Sequence, residues 1–554
     1  MPRTDPRSAG AGPPPWRTLL LAGPALLAAL LWLLVTLDHK AAAVVGVHVI
    51  HPYVLRVLVR EGTFRDLALG RATYLSAALA VAVVAVVHFA VLAVLQRQLR
   101  RRRVLAGFVL AALAAPVAAL FAGGGALTAE AVTALGRMVL PGGSSHAPPV
   151  LAYPRPGLAE PTLARRASVI LFVSDSLRGD AWGPESMPEL WNAVKQREGS
   201  AWALPRHYSG GHETFGGLFS ILYGLNSYYL PLVERAGTPS WPLQVLRRHG
   251  YFLLAATASP LDRQGAARAW LGRFDRTREF TVHGDYRDDR ELVDWFVAAA
   301  DDGRIPKPFF ALVFLNSTHH NYSFPERFAV HQPTLPESYD HFMGDHKLSR
   351  LREEIRNRYR NSVLWVDHLL AGAVRALRPG IDRGDLVVLV TGDHGEELFD
   401  HGLLGHYASH LVDARIRVPL LLFGSKLPAA PRCVTSHTDL MPTLLDLLEA
   451  RPRPDPALYS DGISLAASQP DLDRVVVVSA ADRELGDLKL ALVARDRKLV
   501  IDAYGLGDRF DLREEADPED RPLPGARDQR TLDELTPELR RRLYRFVTEA
   551  PAKE

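Results

Sequence analysis

Leu386-Val-Val-Leu-Val-Thr-Gly-Asp393-His394-Gly395-Glu396 is an apolar run of strand length that stops abruptly on acids and an imidazole. Two other stretches share this form. Ser168-Val-Ile-Leu-Phe-Val-Ser174 stops at Asp175, and Phe309-Phe-Ala-Leu-Val-Phe-Leu315 stops at Asn316-Ser317-Thr318-His319-His320. Around them, short apolar runs over 168–174, 251–257, 308–316, 385–392 and 418–424 alternate with amphipathic stretches over 187–197, 242–249, 290–301, 349–378 and 438–449. Continuous apolar strands alternating with helices predict an α/β fold with a mostly parallel sheet covered on both faces. In such sheets the active site forms beyond the carboxyl ends of the strands.

An Asp after one strand ordinarily caps the next helix. Three strand ends in one sheet, each supplying metal-ligand types, point instead to a metal centre built from Asp175, Asp393 and His394. A set of carboxylates with an imidazole suits zinc or manganese better than magnesium or calcium.

Further motifs extend the pattern. Asp393-His394-Gly395-Glu396 after its strand looks like the "DHGE" signature of sulfatase-type enzymes. Ser436-His437-Thr438-Asp439-Leu440-Met441-Pro442-Thr443-Leu444-Leu445 resembles the segment that follows it, Asn361 to Asp367 the intervening helix, and Phe510-Asp511-Leu512 with Asp517-Pro518-Glu519 the C-terminal strand and tail. Over 168–520 the chain thus resembles the alkaline phosphatase superfamily, in its sulfatase-like and lipoteichoic-acid-synthase-like branch. The resemblance implies an alkaline-phosphatase-like α/β/α sandwich.

It also implies a nucleophile at the start of a helix between the two aspartates. His207-Tyr208-Ser209-Gly210-Gly211-His212-Glu213-Thr214-Phe215-Gly216-Gly217-Leu218-Phe219 is similar to the threonine segment of lipoteichoic acid synthases and phosphoethanolamine transferases. Thr214 is carried over as nucleophile and fourth metal ligand, with Ser209 as the fallback. A helix N-terminus offers backbone N–H groups and a positive dipole to a phosphate, and a divalent cation makes a threonine alkoxide accessible near neutral pH. The resemblance places His319 and His406 against substrate, with His320, His437 and Arg178 as further candidates. Arg178 faces developing negative charge or lies on the surface. Aspartate at 175, where the transferases have glutamate, is typical of sulfatases and of the enterobacterial inner-membrane sulfatase-like regulators of lipopolysaccharide. Formylglycine chemistry requires Cys or Ser in a Cys/Ser-x-Pro-x-Arg context. The lone cysteine, Cys433, sits in Arg-Cys-Val-Thr-Ser after the DHGE run, and it excludes disulfides within the chain and cysteine metal clusters as well.

The 554 residues are 47% hydrophobic and 23% charged, but these averages hide a split. Residues 1–140 are dominated by Ala, Leu and Val and contain three runs near 18–37, 72–95 and 104–124. Each has the ~20 residues that a helix needs to cross a bilayer. Arg3, Arg7 and Arg17 precede the first run, and the Arg97–Arg103 cluster lies between the second and third. Basic flanks stay cytoplasmic, so an odd number of spans puts the catalytic domain on the outer, periplasmic face of a bacterial inner membrane. Residues 41–60 read as interfacial or as an inserted segment. A Pro-rich stretch over 141–166 reads as a semi-rigid spacer, 167–520 as the catalytic domain and 521–554 as a helical tail. The formal net charge is +3 without an aromatic-interleaved basic stretch, so nucleic acid is not an expected partner.

The function expected from these readings is ester hydrolysis or phosphoryl-group transfer on envelope lipids or glycopolymers, with phosphate favoured over sulfate. The alternative is a regulator of envelope lipid synthesis that binds lipid or protein without turnover.

Overall fold

A computed structural model describes residues 149–548 apart from 198, 260, 262–272, 340–347, 407–409, 468–471, 481–486, 505–507, 524–536 and 538. The three expected spans and the 41–60 segment lie outside these residues. Among the described residues, no helix is long and apolar enough to cross a membrane.

Ser168–Ser174 (β1) is buried along its whole length. Its odd residues Val169, Leu171 and Val173 enter one core, while Phe172 on the other face meets Phe296 edge-on at 5.8 Å. A strand apolar on both faces needs a cover on each. The remaining elements supply it in chain order: α1 (Pro188–Lys195), β2 (Ala201–Tyr208), α2 (Thr214–Tyr223), α3 (Trp241–Arg248), β3 (Phe252–Thr257), β4 (Arg276–Glu279), α4 (Tyr286–Asp301), β5 (Phe309–Leu315), α5 (Arg352–Arg383), β6 (Leu386–Gly392), β7 (Arg417–Phe423), β8 (Thr435–Ser436) and α6 (Leu440–Leu447). The eight strands run in the order β8-β2-β7-β6-β1-β5-β3-β4. Leu218, Phe219, Ile221 and Leu222 of α2 pack with Leu243 and Leu246 of α3 and Leu440 and Leu444 of α6 on the β1 face that carries Val169.

The sheet is mostly parallel, as expected. β1 pairs in parallel with β6 and β5, and Ser174 stands level with Gly392 and Leu315. That register puts Asp175, Asp393 and the loop starting at Asn316 side by side. The exception is β7, antiparallel to both β6 and β2. Between Gly392 and β7 the described residues form the short hairpin Glu397–Leu398/Leu404–Gly405 and the four-residue helix Asp413–Ile416, with no long helix among them. A parallel return needs a crossover of a dozen residues or more running back along the sheet, usually a helix. Because β7 is reversed between them, β2 and β6 point the same way, and the turn leading from β2 into α2 opens beside Asp393.

Two segments depart from the expected organisation. The spacer read over 141–166 is docked on the domain over its described part. Val150–Leu151 pairs with Val547–Thr548 of the tail, Thr162–Leu163 pairs with Ala450–Arg451, and Tyr153 and Leu163 are buried. Its apolar side chains find partners that a solvated polyproline segment lacks. The helix expected over 349–378 continues through Pro379 to Arg383, where Gly384 ends it in the left-handed conformation. A second sheet of four antiparallel strands, β9 (Val476–Ser479), β10 (Asp487–Val493), β11 (Lys498–Tyr504) and β12 (Arg509–Ala516), packs Val476 and Val478 against Tyr208, Leu411 and Ile416 at the functional end.

Candidate metal centre

Asp175 follows β1, and the chain turns at once through Ser176, whose φ of 62° is left-handed. The turn is held from several sides. The Ser176 N–H donates to Asp393 Oδ1 at 3.0 Å, the Ser176 hydroxyl to Asp175 Oδ1 at 3.2 Å, and Tyr359 from α5 donates to the Ser176 carbonyl at 2.9 Å. Asp393 Oδ1 also accepts the His394 N–H at 2.7 Å. Asp393 Oδ2 is buried and accepts no hydrogen bond among the described residues.

His394 Nδ1 lies 2.7 Å from the Gly395 carbonyl. That contact requires a proton on Nδ1 and leaves the Nε2 lone pair for the centre. Nε2 is 3.5 Å from Asp175 Oδ1, 3.5 Å from Asp393 Oδ2 and 3.3 Å from Thr214 Oγ1. All four side chains expected to surround a metal therefore converge. The ligand atoms of Asp175, Asp393 and His394 fall within 4.8 Å of one another, and all three residues are buried.

The electrostatics follow from this crowding. Burial, with Asp393 and Glu396 as like-charged neighbours, pushes Asp175 well above the usual carboxylate range. Burial pushes Asp393 up to about 7 and His394 down to about 4. Two acids forced together out of water, one with an orphaned oxygen, beside a neutral imidazole with a free lone pair, form a donor set that fits a divalent cation.

Thr214 is the first residue of α2. The N-cap before it is Glu213, whose carboxylate takes the N–H groups of Gly216 at 2.7 Å and Phe215 at 3.1 Å. The expectation that these N–H groups serve a phosphate is corrected, because the chain's own carboxylate satisfies them. Helix and strand end meet closely at Gly217, where a Cβ would fall 2.2 Å from the Asp393 carbonyl oxygen. Ser209 does not share the centre; its buried hydroxyl donates 2.5 Å to the Asp393 carbonyl.

His406 and His319 line the same end. The His406 ring centre is 4.3 Å from that of His394 and 5.4 Å from that of His319, and the His320 ring lies tilted against His319 with centres 4.1 Å apart. His437 lies beside the backbone that carries the centre. It is fully buried beside the backbone of Gly392 and Gly217, 5.1 Å from His207, and burial lowers it to about 3. Arg178 is neither on the surface nor aimed at the centre. Its guanidinium pairs with Asp180 at 2.6 Å and Asp400 at 2.7 Å and donates to the Glu396 carbonyl at 2.8 Å. Its charge is therefore answered by two carboxylates.

The sulfatase family model matches residues 167–450, which is more than half of the chain and contains every one of these groups. The chain belongs to the sulfatase family. It is 26% identical over 308 residues to "Inner membrane protein YejM" of Salmonella typhimurium and 25% identical to that of Salmonella typhi, in each case over 53% of this chain and 44% of the relative. The chain thus spans less than half the length of the curated relatives it matches. Among solved structures its fold resembles the integral membrane protein lipooligosaccharide phosphoethanolamine transferase A from Neisseria meningitidis, with TM-score 0.53 and 17% identity over 83% of this chain and 89% of that one. It also resembles BT4656 in complex with D-glucosamine-2-N,6-O-disulfate, with TM-score 0.52 and 14% identity over 69% and 98%. The fold is that of the alkaline phosphatase superfamily.

Glu213, Glu396, Tyr322 and Tyr359 were assigned no role from the sequence. The N-cap acid just before the helix run was the available signal for Glu213. For the tyrosines the sequence carries none, because their contacts join positions 37 to 183 residues apart.

Proposed function

We propose that this protein is a membrane-anchored, metal-dependent phospho-ester hydrolase or phosphotransferase acting on envelope lipids or their head groups, with Thr214 as nucleophile. The observation that carries this reading is the 3.3 Å approach of Thr214 Oγ1 to the Nε2 of His394, inside the ring closed by Asp175 and Asp393. Asp175, Asp393, His394 and Thr214 would hold a divalent cation, zinc or manganese before magnesium or calcium given the imidazole. A bound cation would supply positive charge that favours the threonine alkoxide and the negative charge on the phosphoryl oxygens.

The chain's own residues do the rest. Ser176 and the Asp393–His394 backbone fix the carboxylates, and the α2 N-terminus holds Thr214 in line with them. Oγ1 gives up its proton and bonds to phosphorus as the ester P–O bond breaks, and the leaving alkoxide takes up one proton, so the step is proton-neutral overall. Water or an acceptor alcohol then displaces Thr214 from phosphorus. His319 and His406 flank the transferred group. Three apolar runs with basic flanks, and relatives described as inner-membrane and integral membrane proteins, support a lipid-borne substrate on the periplasmic face. A phosphodiester assay on full-length wild type and Thr214→Ala tests this; equal rates would remove Thr214 from the mechanism.

A second reading is a non-turnover regulator of envelope lipids. Aspartate at 175 favours it, being shared with the regulator branch. Under that reading a Thr214→Ala/Asp393→Ala double variant fully restores a deletion strain. Turnover of aryl sulfate faster than aryl phosphate would mark a true sulfatase instead.

A further inference from the structure

Glu396 is fully buried, and its carboxylate reaches two different loops. Oε2 lies 2.8 Å from His406 Nδ1, and Oε1 accepts the Tyr322 hydroxyl at 3.0 Å. Tyr322 belongs to the His319 loop, where its N–H donates to the His319 carbonyl at 2.7 Å. It is fully buried with φ at 53°, a conformation a bulky side chain holds only where its surroundings over-determine it. Here they do, since its ring meets Tyr359 edge-on at 5.5 Å, and Tyr359 is the residue that holds the Ser176 turn. One buried carboxylate thus ties the His406 loop to the His319 loop, next to the turn that carries Asp175.

We propose that Glu396 and Tyr322 are positioning residues for the group transfer, holding His406 as the Nδ1-protonated tautomer at a fixed distance from His394 and His319. A carboxylate oxygen only accepts, so the nitrogen facing it carries the proton, and that fixes the ring's tautomer. This inference rests on the phosphotransfer reading of Thr214.

The test uses full-length protein in detergent micelles, with bis(p-nitrophenyl) phosphate as probe and the variants Tyr322→Phe, Glu396→Gln and Glu396→Ala. Loss of a supporting partner costs about 10- to 100-fold at such sites. Tyr322→Phe is expected to lower kcat about tenfold and Glu396→Ala more, with Glu396→Gln between them because its amide oxygen still accepts from Nδ1–H. KM and metal content stay unchanged. Nitrogen-15 spectra of histidine-labelled protein, with His406 assigned by its loss in His406→Gln, are expected to show Nδ1–H in wild type and a mixture in Glu396→Ala. An Nε2–H ring in wild type, an unchanged ring in Glu396→Ala, or wild-type kcat in both Tyr322→Phe and Glu396→Ala would overturn the proposal. If wild type turns over no diester, the phosphotransfer reading fails, while the ring spectra still decide the positioning claim.

Discussion

Replacing Gly217 by alanine adds one methyl group at the contact between the nucleophile helix and the metal-binding strand end. Its Cβ would fall 2.2 Å from the Asp393 carbonyl oxygen and 2.8 Å from the carbonyl carbon, both backbone atoms. An ordinary contact begins at 3.4 Å, so helix and strand end must separate by roughly 1 Å. Thr214 lies one turn away on the same helix and moves with it. A misplacement of about 1 Å costs on the order of 100-fold in rate, and overpacking of this kind destabilises by about 1–3 kcal/mol. Elsewhere in a helix, Gly→Ala is favourable by up to about 1 kcal/mol. Gly372 in α5 is the control, because its added Cβ would meet nothing nearer than the Arg375 guanidinium at 4.0 Å. Thermal melts of the two full-length variants should move in opposite directions, and diester hydrolysis should fall in one of them alone. Gly372→Ala should raise Tm and leave the rate alone, whereas Gly217→Ala should lower Tm and cut the rate about 100-fold. A Gly217→Ala protein as stable as Gly372→Ala and as fast as wild type would refute the close approach.

Thr214→Ser keeps a hydroxyl at the start of α2 and should retain measurable turnover, while Thr214→Ala should lose it; similar rates for the two would remove the hydroxyl from the chemistry. Chelation should lower Tm, since a cation that binds only the folded state stabilises it by about 2.7 kcal/mol at 100 times its Kd, and Asp393→Asn should abolish that response; a chelator-induced drop of the same size in Asp393→Asn would place the metal elsewhere. His437 is held neutral in the folded protein down to about pH 3 but titrates near 6.5 when unfolded. Its contribution to stability is therefore complete above pH 6.5 and is lost as pH falls toward 3, amounting to roughly 2 kcal/mol by pH 5. Plots of Tm against pH should be flatter between 7 and 5 for His437→Gln, and parallel plots would contradict this.

The sheet was legible because β1, β5 and β6 are apolar on both faces and end on polar clusters, a pattern that depends only on local sequence. The same runs disclosed Asp175, Asp393 and His394, and a resemblance supplied Thr214. What escaped depends on tertiary register. Nothing in Arg417–Phe423 distinguishes a parallel from an antiparallel strand, because direction is set by where the preceding loop leaves the chain. Arg178 reads from sequence as facing developing negative charge or lying on the surface, and only the fold brings Asp400 to it from 222 residues away. The docked course of Val150 to Leu163 was masked by prolines, whose extended preference says nothing about what Tyr153 and Leu163 touch. Glu213 takes two of the N–H groups at the helix N-terminus that the resemblance assigned to phosphate.

The most direct measurement is the mass of the peptide containing Thr214 after full-length protein is mixed with a phosphodiester and quenched in acid during turnover. A phosphoryl or substituted phosphoryl adduct on Thr214, absent from Thr214→Ala and from chelated protein, is the expected result. Steady hydrolysis with an unmodified Thr214 peptide at every quench time would contradict nucleophilic catalysis by Thr214.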